Sequence, residues 1–159
     1  MNISQLKRKP TSDRDILSLI ETNIVRYNTL KMVRSIDDIL VNNSAVILID
    51  NKNSNIGHWV CVVKHGNTLS YFDSYGRPPD PKMYHIHTPY LSKLMHDSKY
   101  DLEYNDNNYQ GANTSTCGRH VITRILLKDY PLSYYDRFMK QFDNDDDLVS
   151  ALTYMAKNK

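Results

Sequence analysis

The stretch HWVCVVKHGNTLSYFD, residues 58–73, decides the architecture. Its first half, residues 58–64, is a nearly continuous apolar run rich in valine, the composition of a buried strand. His65-Gly66-Asn67 is a tight polar turn, and residues 68–73 return as a second strand, so the two predict a β-hairpin. His58 opens this hairpin and Asp73 closes it, which places both at its open end.

Working outward toward the N-terminus, residues 45–50 form another apolar run and predict a buried strand, joined to the hairpin by the polar loop 51–57. Ser35 starts a short capped turn that runs to Leu40. Ser12 with Asp15 three residues on is a capping box. It predicts a helix with Ile16, Leu17, Ile20 and Ile24 on one face, ending near Tyr27. The first eleven residues are basic and polar and are expected to form a flexible arm.

Toward the C-terminus, GRPPDP at residues 76–81 interrupts regular structure. Residues 89–96 predict a short helix and residues 100–104 a fourth strand. A polar loop over 105–116 then leads to a helix beginning at Cys117, capped by Thr116 or Ser115, with Val121, Ile122, Ile125 and Leu126 on its apolar face. Segments 133–142 and 145–157 are amphipathic and predict two more helices. Helices at both ends around a mixed, mostly antiparallel central sheet make an α+β domain, and 159 residues suit one such domain spanning 1–159.

Composition narrows the function classes. Apolar residues at 40% and charged residues at 24% are the balance of an ordinary globular chain, and a net charge of +2 does not by itself argue for nucleic-acid binding. A local basic patch remains open to Lys7, Arg8, Lys9, Lys93, Lys99, Arg119 and Arg124, against the commoner reading of scattered solvated charges. Two cysteines, Cys61 and Cys117, are too few for a disulfide framework and point to a reducing compartment. The N-terminus has no apolar segment of signal-peptide type, and the longest apolar run, residues 45–49, is too short for a bilayer, so no membrane association is expected.

Four residues carry chemistry. Cys117 follows a polar loop at the start of an apolar-faced helix, where unpaired backbone N–H groups and the helix dipole favour a thiolate. Taken alone, a cysteine is more often an inert core thiol. Gly118 removes a side chain beside the sulfur, which would let a substrate carbonyl approach. Among the six histidines, His58 is favoured as base because Asp73, at the end of the partner strand, is placed to orient its ring. His120, one helical turn past Cys117, is poorly placed for in-line proton transfer. Asp73 is equally well read as the start of an Asx turn. Gln110, seven residues before Cys117, is an amide donor that could join the Cys117 backbone N–H in an oxyanion hole. Each signal is weak singly. Their chain order, His, Asp, Gln, Cys, is what makes a set, and it differs from the papain order, since no histidine follows His120.

The set resembles the adenain and SUMO-protease superfamily of cysteine proteases. The resemblance rests on Gly57-His58-Trp59, on Tyr71-Phe72-Asp73-Ser74-Tyr75-Gly76, and on Tyr109-Gln110-Gly111 leading to Thr116-Cys117-Gly118, roughly the middle half of the chain. It implies a Cys at a helix N-terminus beside a mixed sheet, Cys117 as nucleophile, His58 as general base, Asp73 as the acidic member and Gln110 as the oxyanion donor. It also implies that Gly57, Trp59 and Gly118 border the substrate. The stretch around Gln110 and Cys117 is closer to adenain than to the SUMO proteases. Adenain-like enzymes of double-stranded DNA viruses, virophages and related elements process capsid precursors next to glycine during virion maturation. The implied partner is therefore a capsid-precursor polypeptide, met by a monomer in the virion, the infected-cell cytoplasm or a viral factory. No metal or cofactor is implied. Adenain takes a disulfide-linked peptide and DNA as activators. Cys61, inside a predicted strand, is instead expected to be a core thiol. The same chemistry would serve a protease of ubiquitin-like modifiers or an acetyltransferase. A non-catalytic protease-like binding module would be expected to have lost one of the four positions, and all four are present.

Overall fold

The computed structural model describes residues 2–50 and 57–158. The predicted loop 51–57 therefore lies outside the described residues except for Gly57. Five strands form one sheet in sequence order: β1 (Asn23–Arg26), β2 (Ser44–Ile49), β3 (His58–His65), β4 (Thr68–Phe72) and β5 (Asp101–Tyr104). β2, β3 and β4 pair antiparallel at the centre, while β1 on β2 and β5 on β4 are parallel. The parallel edges follow from the connections. Two 3₁₀ turns, Tyr27–Met32 and Ile36–Ile39, lie between β1 and β2. Helix α3 (Tyr90–Asp97) lies between β4 and β5. Such crossovers return the chain in the same direction.

The hairpin forms as expected, with Gly66 at φ +58 in its turn. Its period of two divides the core. Trp59, Cys61 and Val63 face one cluster with Val121, Ile122 and Ile125, while Val60 and Val62 face another with Leu91 and Met95. The first cluster is covered by α2 (Asp13–Leu19), α4 (Cys117–Leu126), α5 (Leu132–Met139) and α6 (Asp145–Lys157).

Two expectations are corrected. The helix begun by the Ser12–Asp15 capping box stops at Leu19, not near Tyr27. Residues 23–26 become strand β1 because pairing with β2 satisfies their backbone, and the β-branched Ile24 and Val25 suit a strand. Residues 2–11 are not a loose arm. They carry α1 (Ile3–Arg8), capped by Asn2 and Gln5, with Leu6 buried and Lys7 paired to Asp147 of α6.

Candidate active site

His58 sits at the first position of β3 and Asp73 directly after β4, so the hairpin brings the two to one end of the sheet. His58 Nε2–H donates to Asp73 Oδ1 at 2.8 Å. Asp73 is fully buried and held from several sides. Its Oδ1 also accepts from the Tyr75 N–H, and its Oδ2 accepts from the Tyr84 hydroxyl at 2.5 Å. Its backbone is gripped by Asn105, whose Oδ1 takes the Asp73 N–H and whose amide donates to the Asp73 carbonyl. The Asx-turn reading also holds, since the Tyr75 N–H bond to Asp73 Oδ1 is the side-chain bond of such a turn, and the Gly76 N–H donates to the Asp73 carbonyl beside it.

The His58 ring lies between Tyr75, stacked at 5.1 Å, and Tyr84, tilted at 5.2 Å, and the Arg77 guanidinium lies against both tyrosines. The Cys117 side chain lines the same cleft as this histidine. With Nε2 taken by the carboxylate, Nδ1 is the ring nitrogen left to serve the sulfur. Burial alone would lower the His58 pKa. The bond to Asp73 and the proximity of the Cys117 side chain outweigh it and raise the ring to about 9.

Cys117 is the first residue of α4, half-buried and free, and its backbone N–H has no partner within the helix. Thr116 is the N-cap residue, yet its side chain does not cap: the hydroxyl donates to Asp146. Gln110 is buried beside the sulfur's cleft. Its Oε1 accepts from the Ser74 hydroxyl at 2.6 Å and its Nε2 donates to the Thr114 carbonyl at 3.2 Å. A carbonyl only accepts, so this pair fixes which end of the amide carries the N–H groups. Nε2 has a second N–H to offer the cleft.

These side chains meet at an open cleft of about 370 Å³, lined by Gly57, His58, Trp59, Tyr75, Gln110 and Cys117 among others. Pro10 and Thr11 line it too, which ties the N-terminal segment to the site. The Trp59 indole donates to the Thr11 carbonyl at 2.9 Å, and Ser115 N–H donates to the Lys7 carbonyl at 2.7 Å. Gly118 does not serve as expected. A Cβ there would stand 2.5 Å from Thr11 Cβ, so the missing side chain makes room for the N-terminal segment and not for a substrate carbonyl.

Ser74, Asn105, Tyr84 and Asp146 escaped the sequence reading. Ser74 stands within a quoted motif that assigns it no role, because its partner Gln110 lies 36 residues away. A second histidine–carboxylate pair, His120 Nε2 to Asp146 Oδ1 at 2.8 Å, sits behind the Cys117 loop. His120 is fully buried, so it is not open to the cleft as His58 is. Cys61 is fully buried and free, and burial pushes its thiol up to about 12, which makes it a core residue. Among the described residues, no three His, Cys, Asp or Glu side chains gather as a metal site would require. No described helix is long and apolar enough to cross a membrane.

No family model matches the chain. It is 30% identical over 162 residues to the uncharacterized protein V9 of Sputnik virophage, covering 89% of this chain and 93% of that protein. Among solved structures it is similar to the SUMO protease Ulp1 with its catalytic cysteine oxidised to a sulfonic acid. The TM-score is 0.50 at 20% identity, over 98% of this chain and 82% of that one. The sulfenic-acid form of Ulp1 gives the same TM-score and identity, over 98% of this chain and 81% of that one. The α+β fold with a mixed sheet is therefore that of the Ulp1 cysteine protease.

Proposed function

This chain belongs to the family of the Sputnik virophage protein V9, and we propose that it is a cysteine endopeptidase that processes virion precursor proteins. One observation carries the reading: His58, bonded to a buried carboxylate, and the Cys117 thiol line the same open cleft. Residues 1–159 act as a single protease domain, and the reaction needs no metal or resident cofactor.

The Cys117 sulfur, its proton passed to His58, attacks the scissile carbonyl carbon, and the carbonyl electrons move to oxygen. The Gln110 Nε2–H and the Cys117 N–H bind that oxyanion. On collapse the C–N bond breaks, and His58 gives its proton to the leaving amine. A thioester remains. His58 then takes a proton from water, the hydroxide adds to the thioester carbon, and the C–S bond breaks to return thiolate and imidazolium. Asp73 keeps the imidazole in one tautomer and compensates its charge. Gly57 and Trp59 flank the bound chain.

The substrate in this reading is a capsid precursor cut next to glycine, and the virophage relative supports the viral setting it needs. Trp59, Tyr75 and Tyr84 wall the cleft, which suits a residue without a side chain at the scissile bond. Two free thiols suit the reducing interior of an infected cell or viral factory. The fold shared with Ulp1 favours a second reading, a protease of ubiquitin-like modifiers. Incubating the chain with glycine-containing capsid-precursor peptides and with a modifier-derived probe separates the two, and a parallel arm with DNA tests for stimulation. Cys117→Ala should abolish cleavage with an unchanged circular dichroism spectrum. An alanine variant that cleaves at the wild-type rate ends the endopeptidase reading.

A further inference from the structure

Gln110 and Cys117 would act together on one oxygen atom, yet the chain leaves one and returns to the other through a six-residue loop, residues 111–116. Gly111, Ala112 and Asn113 of this loop are exposed. Local sequence gives no reason for its ends to hold their separation. The structure supplies one from 30 residues further on. Asp146, in the first turn of α6, reaches back under the loop and is itself buried. Its Oδ2 accepts from the Gly111 N–H at 2.8 Å, immediately after Gln110. Its Oδ1 accepts from the Thr116 hydroxyl at 2.5 Å, immediately before Cys117. The same Oδ1 accepts from His120 Nε2–H, one turn into α4.

One carboxylate thus ties both ends of the loop and the helix that follows. Glycine at 111 permits the approach, since a Cβ there would lie 3.1 Å from Asp146 Oδ2. Thr116 gives up its usual capping bond to make this contact. Inside the loop the pattern continues: Thr114 Oγ1 donates to the Gly111 carbonyl, and the Thr114 carbonyl receives Gln110 Nε2. We propose that Asp146 is a positioning residue for the oxyanion hole, fixing the distance between Gln110 and Cys117 through Gly111 and Thr116. The assignment rests on the endopeptidase reading above. Asp146 does not touch substrate and holds no proton in transit. It needs two acceptor oxygens for three donors, which asparagine cannot supply.

The test uses the full chain and two readouts. One is kcat and KM on a glycine-containing peptide. The other is the pH profile of Cys117 alkylation by iodoacetamide, which requires a thiolate and no oxyanion hole. Asp146→Asn should lower kcat on the order of a hundredfold, the loss typical of a displaced oxyanion donor, while KM and the alkylation profile stay within about twofold. Thr116→Val should lower kcat about tenfold, and Thr116→Ser should restore it, because only the hydroxyl is at issue. Asp143→Asn, which removes a nearby exposed charge, should match wild type. If Asp146→Asn does not fold, the two Thr116 variants decide. Wild-type kcat in Asp146→Asn and Thr116→Val overturns the assignment. So does alkylation that falls in step with kcat, since that marks collapse of the nucleophile and not of the oxyanion site. A wild-type chain that is alkylated at Cys117 but cleaves no peptide overturns the endopeptidase reading, and the assignment with it.

Discussion

His58 carries the most information of any residue in the chain. Its pKa is set by opposing effects. Burial disfavours the imidazolium, while the Asp73 carboxylate and the Cys117 side chain favour it and prevail, giving about 9 against an ordinary 6.5. A raised pKa in the folded state means that the folded protein binds the proton more tightly than the unfolded chain. The stabilisation is therefore complete below about pH 6.5 and is lost as pH rises through about 9. A shift of this size corresponds to something on the order of 3 kcal/mol. Urea denaturation of wild type and His58→Gln should show their stability difference shrinking across that window. A difference that stays constant from pH 6 to pH 9.5 would count against the ion-pair geometry. Much of this residue-level picture was legible in advance. His58, Gln110 and Cys117 line one cleft and Asp73 lies buried behind His58, a grouping that their order along the chain led one to expect. Tyr84 and Asn105 were not legible. Nothing in a lone tyrosine or asparagine reveals that its partner is a carboxylate 11 residues earlier or a backbone 32 residues away.

At the scale of elements, the start of α4 and the N-terminal segment are built as one unit. Thr11 fills the place where a Gly118 side chain would stand, and its carbonyl takes the indole proton of Trp59. Gly118→Ala should therefore force Thr11 aside and cost about 1–3 kcal/mol, the usual cost of overpacking a tight contact. Thr11→Gly in the same chain should recover most of that loss, which a double-mutant cycle by thermal unfolding measures. If the two losses simply add, the contact is not what requires glycine. Sequence placed α4, α5 and α6 well, because their apolar residues recur with helical period and lie beside charged ones. It missed α1 because six residues carry too little periodicity to be seen, and the segment's order comes from Lys7 on Asp147 and Ser115 on the Lys7 carbonyl.

Across the whole molecule, the sheet separates two cores and the site lies at the end where β3 begins and β4 ends. Phe72, the residue before Asp73, is fully buried, stacked with Tyr109 and edge-on to Tyr135 of α5. It joins the hairpin to the helical layer and to the loop that carries Gln110. Phe72→Ala should cost about 3–5 kcal/mol, with activity lost at a lower temperature than in wild type. A loss below about 1 kcal/mol in chemical denaturation would show that this core relaxes freely around the site. The sheet itself was half legible. Its antiparallel centre follows from the hairpin and the preceding apolar run, whereas the parallel edges depend on crossovers whose direction no local pattern encodes.

The amino-acid sequence by itself determined the hairpin, the late helix that begins with the thiol, and the ordered appearance of imidazole, carboxylate, amide and sulfur. These are local patterns or short motifs, and local physics suffices for them. Only the folded chain decided that residues 23–26 extend along β2, that Thr11 occupies the space above Gly118, and that one carboxylate on the last helix ties both ends of the Cys117 loop. Each of these joins groups far apart in sequence. Their energies depend on burial and on which donors are left unpaired, and those quantities exist only once the chain has closed on itself.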